Sequence, residues 1–346
     1  MKVLVDVAHP GHVHFYKNVI WRLQKNGHKV LISARDKDVT LPLLRQYGFS
    51  YQTLSVKGDT FLGLSKEFLE REWALLRLIR EFHPDVVTEI GGLFIAPLCK
   101  LLGIPSVVFT DSEPVPIDRF LTYPFASVIC TPHCFMRDLG KRHIRYAGYH
   151  ELAYLHPDYF QPDPTVLTEL GVAGDEPFII LRFVAWGASH DIGQHGFSLE
   201  MKRKIIKTLS RYARVFITSE TPLPKEFESY RINLPPDRIH DLLYYARLFM
   251  GDGATMATEA AILGTPAVRS STLALCMGNF VELMERYRLV YSYYETENAL
   301  QKAVSLLEQS DVKTCWAHRR DILLEEKEDV VGFVSNILDE YSGISM

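Results

Sequence analysis

No uninterrupted apolar run in this chain approaches the roughly 20 residues that a membrane-spanning helix needs, so an integral membrane protein is not expected. Cysteines are few and odd in number (Cys99, Cys130, Cys134, Cys276, Cys315), which argues against a disulfide framework. There is no surplus of positive charge. The formal net charge is -4, whereas non-specific nucleic-acid binding depends on a large basic surface. A secretory leader is not expected either, because Asp6 interrupts the first apolar run early. These absences point to a cytoplasmic protein without a nucleic-acid partner, whose only route to a membrane is peripheral contact.

What is present is the mixture of an ordinary globular protein, 47% apolar and 23% charged over 346 residues, a length that suits two domains. Short β-branched runs (Val3–Val7, Lys29–Ser33, Asp85–Glu89, Ser106–Thr110, Ser127–Thr131) alternate with helical patterns such as Tyr16–Lys25, Ser65–Phe82 and Leu93–Leu102. The segment Tyr146–Pro164, with Gly148 and three prolines, reads as a crossing between domains. A second series follows: Phe178–Phe183, Leu199–Tyr212, Val215–Ser219, Asp241–Ala246, Phe249–Met250 and Ala267–Arg269. The charged tail is helical. Strands separated by helix-length segments imply parallel sheets covered on both faces. The expected fold is therefore α/β, with two Rossmann-like domains facing a central cleft. The first domain is expected at 1–150 and the second at 151–315, with a helical tail at 316–346 packing back on the first. Ligands of such sheets sit beyond the carboxyl ends of strands.

The loops after strands are where chemistry is expected. Gly251-Asp252-Gly253-Ala254-Thr255-Met256 reads as a tight turn into a helix whose bare N–H groups favour a phosphate or diphosphate. Glu259 follows one turn on and suits ribose hydroxyls. His9-Pro10-Gly11-His12-Val13-His14 follows the first strand. His12 and His14 are candidates for a general base, and His9 is as readily a helix-start residue bonded to backbone. Asp111, after the run Ser106–Thr110, is a candidate base for a sugar hydroxyl; Glu113 and Asp118 serve equally well as caps. Glu89-Ile90-Gly91-Gly92 allows close approach of backbone to a ligand, or is simply a turn. In the second half Arg182, Ser189 and His190 are candidate phosphate contacts, Asp191 being the alternative partner of Arg182. His240 is read either as a contact of a nucleobase or as structural, the structural role being the one expected. Cys130 and Cys134 lack a second Cys/His pair, so no metal is expected there. Trp73, Phe61 and Phe68 either face a lipid acceptor or a membrane, or belong to the core.

Gly251–Pro266 resembles the donor-binding motif of GT-B-type enzymes, especially the UDP-N-acetylglucosamine 2-epimerase group. That resemblance implies diphosphate at Gly253, Ala254, Thr255 and Met256, and ribose at Glu259. The whole chain is similar to a family of predicted glycosyltransferases common in archaea. The likeness rests on Val5-Asp6 through His12-Val13, Ala34-Arg35-Asp36, Tyr146–Leu155, Ser189-His190-Asp191 and the donor motif. It departs from the epimerases in three places. Thr258 replaces the first of two adjacent acids, Ile90-Gly91 fall where a catalytic aspartate belongs, and His-Pro-Gly-His replaces Arg-Pro-Glu in the first loop. The epimerase carboxylate that precedes the domain crossing falls roughly on Asp111.

The function so implied is a metal-independent, nucleotide-sugar-dependent glycosyltransferase of polysaccharide or glycoconjugate synthesis, with no cofactor beyond its sugar-nucleotide substrate. Its partners would be a UDP- or other nucleotide-sugar donor and a sugar or lipid-linked acceptor. A 2-epimerase and a non-catalytic nucleotide-sugar binding protein are the alternatives.

Overall fold

The computed structural model describes residues 1–56, 58, 61–113, 115, 117–174, 176–184, 197–219, 222–271 and 276–343, with 61, 62, 64 and 65 described in backbone only. The chain divides into two compact units. One comprises Met1–Tyr154 with Glu328–Met346, the other Leu155–Lys327.

Among the described residues the first unit holds a seven-stranded sheet: β1 (Lys2–Val7), β2 (Lys29–Asp36), β3 (Gln52–Val56), β4 (Val86–Ile90), β5 (Ser106–Phe109), β6 (Val128–Pro132) and β7 (His143–Tyr146). The spatial order is β3-β2-β1-β4-β5-β6-β7, and every pairing is parallel. Central strands such as Val3-Leu4-Val5 are buried on both faces, which explains their unbroken apolar runs. The order reverses between β1 and β4, making that pair the topological switch point. The helix Phe61–Phe82 puts Leu75, Leu78 and Ile79 into the core with Leu4, Val87 and Ile95. The helix Val330–Ser342 also belongs to this unit, and Arg22 meets Asp329 at 3.1 Å where it starts.

The second unit holds, among its described residues, five parallel strands: β8 (Phe178–Phe183), β9 (Arg214–Ser219), β10 (Leu248–Gly251), β11 (Ala267–Ser270) and β12 (Val290–Tyr293). Their order is β12-β11-β10-β8-β9. Here the switch point lies between β8 and β10. The helix Val312–Glu326 stays in this unit, where Trp316 donates to the Leu289 carbonyl at 2.8 Å and Arg320 to that of Ile262 at 3.0 Å. The stretch 316–346 is thus shared between the units.

Two boundaries differ from the sequence reading for a physical reason. The first helix runs from Pro10 to Lys25 and not from Tyr16. Proline at its first position, and His9 accepting from the Gly11 N–H at 3.1 Å, start it early. The edge strands β3, β7 and β12 have short, partly polar sequences that give little apolar signal; pairing to a neighbour makes them strands.

Candidate functional site

At the switch point of the first unit, Ser33, Asp6 and Glu89 stand side by side in register on β2, β1 and β4. Asp6 is fully buried and accepts from Ser33 Oγ at 2.5 Å. Arg71, also fully buried, reaches it from the helix Phe61–Phe82 with Nη2 at 2.8 and 2.7 Å from the two carboxylate oxygens. Arg71 Nη1 donates to Ser55 Oγ at 3.1 Å, and its guanidinium lies 4.5 Å above the Phe94 ring. One turn earlier Glu67 takes two bonds of 2.6 Å from Arg35 and one from the Gly58 N–H. Burial pulls the Arg71 pKa down, but Asp6, Glu89 and Glu67 outweigh it and hold the guanidinium charged. Glu89 is pushed well above the carboxylate range, first by burial and then by Asp6. Arg71 and the N–H groups of Ile95 and Phe94 act against that rise. Glu89 therefore sits as a buried group at the start of the helix Ile95–Leu102.

The two candidate histidines are not in a loop. His12 lies in the first turn of the helix Pro10–Lys25, and its Nδ1 accepts from the Ala8 N–H at 3.3 Å. With Nδ1 engaged as acceptor, the neutral ring carries its proton on Nε2. Burial, then His9, His150, Lys37 and Arg71, hold its pKa well below the usual value. His12 is consequently a neutral N–H donor, which disfavours it as a base. His14 is buried, bonds Tyr47 Oη at 3.2 Å and stacks on Tyr154 at 5.3 Å, so packing accounts for it.

Asp111, beyond β5, is different. Its Oδ1 accepts from Ser112 at 3.1 Å, and its half-exposed carboxylate faces His150 Nδ1 at 3.5 Å. His150 is buried, with Phe15 against its ring at 4.6 Å. Burial lowers its pKa although Asp111 opposes this. The ring turns Nδ1 to the carboxylate, and its buried Nε2 finds no hydrogen bond among the described residues. Glu113 accepts from the Met136 N–H at 3.1 Å. Asp118 is buried at the start of a short helix, and burial raises its pKa to about 7.

In the second unit a row of residues in register crosses the carboxyl edge of the sheet: Thr218, Arg182, Gly251, Arg269 and Ser292 on β9, β8, β10, β11 and β12. Arg182 donates to Thr218 Oγ1 at 2.9 Å. Between β10 and the helix Thr255–Ile262 the chain turns through Asp252, which accepts from the Val184 N–H at 2.9 Å. A side chain at Gly253 would meet Val184 at 2.7 Å, so only glycine lets the turn lie on β8. Residues 253–256 are partly or fully exposed. Ala254 supplies no side-chain cap to the helix, so its first N–H groups are offered outward. Glu259 is buried and bonds His240 Nε2 through Oε1 at 3.0 Å, which gives His240 its structural role. Thr258 turns its hydroxyl back to the Ala254 carbonyl at 3.4 Å. Ser189, His190 and Asp191 lie outside the described residues.

Four participants escaped the sequence reading as site residues. Arg71 and Glu67 lie on the stripe of Leu75 and Leu78, so charge on a buried helix face was their signal. Arg269 ends a buried strand as Arg182 does. His150 was visible only as part of the Tyr146–Leu155 segment. Of the three aromatics, Phe68 packs against Phe94 with ring centroids 5.6 Å apart, Trp73 is exposed, and the Phe61 side chain lies outside the description. Cys130 is buried and Cys134 half-buried. Among the described residues no helix is long and apolar enough to cross a membrane.

Solved structures show the same two-sheet α/β fold. UDP-GlcNAc 2-epimerase from Neisseria meningitidis, bound to UDP-GlcNAc, superposes with a TM-score of 0.72 at 15% identity, covering 98% of this chain and 99% of that one. The spinosyn forosaminyltransferase SpnP gives 0.68 at 12% identity and 99% coverage of both chains. In sequence, the protein MJ0665 of Methanocaldococcus jannaschii is 27% identical over 305 residues, 84% of this chain and 88% of that protein. The fold is that of GT-B glycosyltransferases and their epimerase relatives. Residues 1–324 match the family DUF354, described as a protein of unknown function, and the chain belongs to that family.

Proposed function

We propose that this protein is a nucleotide-sugar-dependent glycosyltransferase. The observation that carries the reading is the turn Gly253–Met256 at the β8–β10 switch point, an exposed and uncapped helix start flanked by Arg182. Helix-start N–H groups and an arginine together suit the diphosphate of a sugar nucleotide. Glu259, fixed by His240, takes the ribose hydroxyls. That the Neisseria epimerase of like fold was solved with UDP-GlcNAc supports the same ligand class here.

In this reading the first unit serves the acceptor. Asp111 receives the proton of the acceptor hydroxyl as that oxygen attacks the anomeric carbon, and His150 holds the carboxylate in place. His12 contributes a neutral N–H donor. The diphosphate leaves with its bonding electrons, and its charge is met by the N–H groups of the turn and by Arg182, without a metal or other cofactor. Leu69 and Trp73, exposed one turn apart on one helix, fit a lipid-linked acceptor or peripheral contact with a membrane.

The test is product analysis with sugar nucleotides, with and without candidate acceptors. Transfer requires an acceptor for nucleotide release. Epimerisation instead yields isomer, and solvent deuterium at C2, with no acceptor present. Binding without turnover under any condition would leave a non-catalytic receptor.

A further inference from the structure

Arg269 is 2% exposed at the end of β11. Its Nη2 donates to Ser271 Oγ at 3.0 Å, and its guanidinium lies 4.3 Å above the Phe280 ring. Its Nε and Nη1, both buried, meet no acceptor among the described residues. Asp252 favours the charged form, but burial dominates and lowers the pKa to about 10, so the side chain is still a cation at neutral pH. A buried cation with two unbonded donors is costly to the fold. A row of register pairs places it directly opposite Gly251, with Arg182 on the other side. Paired residues of neighbouring strands project on one face, and a side chain at Gly251 would meet Arg182 and the Phe249 ring at 3.0 Å, so glycine lets Arg182 and Phe249 close over the position between the two arginines.

We propose that Arg269 is an anion-positioning residue of the second unit, whose fixed buried charge beside Gly251 holds a diphosphate at the turn 252–256. The inference rests on the reading of that turn as the donor site and adds a residue to it. Arg269 acts through its field and not through direct contact, since a desolvated charge acts more strongly at short range than a surface one. Stability is thereby given up for affinity.

The experiment compares the full-length protein with Arg269→Met and Arg269→Lys, by calorimetric titration with UDP, pyrophosphate and uridine and by melting without ligand. The expected result is a loss of about tenfold or more in UDP and pyrophosphate affinity for Arg269→Met. Uridine affinity is unchanged, the lysine variant retains most of the binding, and the unliganded methionine variant melts no lower than the parent. UDP affinity unchanged in Arg269→Met overturns the proposal. So does a fall in the unliganded melting temperature of both variants, which marks a structural role. Parent protein that binds pyrophosphate but not UDP contradicts the nucleotide reading alone, whereas failure to bind either contradicts both.

Discussion

Asp6 and Arg71 share two hydrogen bonds of 2.8 and 2.7 Å, and neither side chain has any exposure to solvent. The pair ties the helix Phe61–Phe82 to the end of β1 at the switch point of the first unit. Removing one partner of a buried ion pair strands the other charge, at a cost of about 3–5 kcal/mol. Arg71→Met is therefore expected to lower unfolding stability by about that amount in a urea titration. Adding Asp6→Asn should recover part of the loss, because no carboxylate is then left unpaired. A single variant as stable as the parent contradicts this account of the pair.

The Asp111–His150 pair predicts a pH profile. The His150 pKa lies below its usual value of 6.5 because burial disfavours the charged ring. Its neutral form therefore persists until the pH falls below 6.5. Protonation there puts a cation beside Asp111 and weakens it as a base, so kcat/KM should fall on an acidic limb below pH 6.5. That limb should persist in His12→Gln and be displaced in His150→Gln. Asp111→Asn should cut kcat by about 10²–10⁴-fold. A limb that follows His12 instead would move the base to that residue.

Glu72 makes a separate prediction about stability. Burial, reinforced by Asp6 and opposed by Arg71, raises its pKa to about 7. The folded form then holds a proton that the unfolded chain releases above about pH 4.5. Stability is accordingly unaffected by this group below pH 4.5 and is lost as the pH rises from there to 7. Glu72→Gln should gain about 1–2 kcal/mol above pH 7, discounted for its partial exposure, and nothing near pH 4. Equal gains at both pH values would assign the effect to packing.

His240 and Glu259 meet at 3.0 Å, both nearly buried. If His240 serves to orient the carboxylate, His240→Ala should weaken sugar-nucleotide binding less than Glu259→Ala does, about threefold against tenfold or more. Titration calorimetry on both variants gives the comparison. Equal losses would mean that the histidine itself contacts the ligand.

Much of the fold was legible because buried parallel strands advertise themselves. Val3–Val5 and Phe178–Leu181 are unbroken apolar runs, each followed by one charged residue (Asp6, Arg182) at the strand end, and Gly27, Gly103 and Gly264 mark helix ends. The edge strands β3, β7 and β12 were not legible, since half of each faces solvent. The start of the first helix was hidden by a histidine N-cap and by Gly11, which resembles a loop residue. The turn proposed to hold the donor could be read from spacing alone, because glycine, helix start and glutamate are close in sequence. The first-unit groups could not, as Asp6, Arg71 and Glu89, and likewise Asp111 and His150, are brought together only by the winding of the sheet. Tautomers were beyond reach as well. That His12 accepts from Ala8, and so is poorly placed as a base, depends on a single backbone contact.

The central claim is that the turn Gly253–Met256, with Glu259 behind it, holds a sugar nucleotide. The most direct measurement is the melting temperature of the parent and of Glu259→Ala across a panel of nucleoside diphosphate sugars. At saturation at least one sugar nucleotide should raise the parent's melting temperature by about 5 °C or more, and Glu259→Ala should lose most of that shift. A parent protein that no sugar nucleotide stabilises would contradict the claim outright.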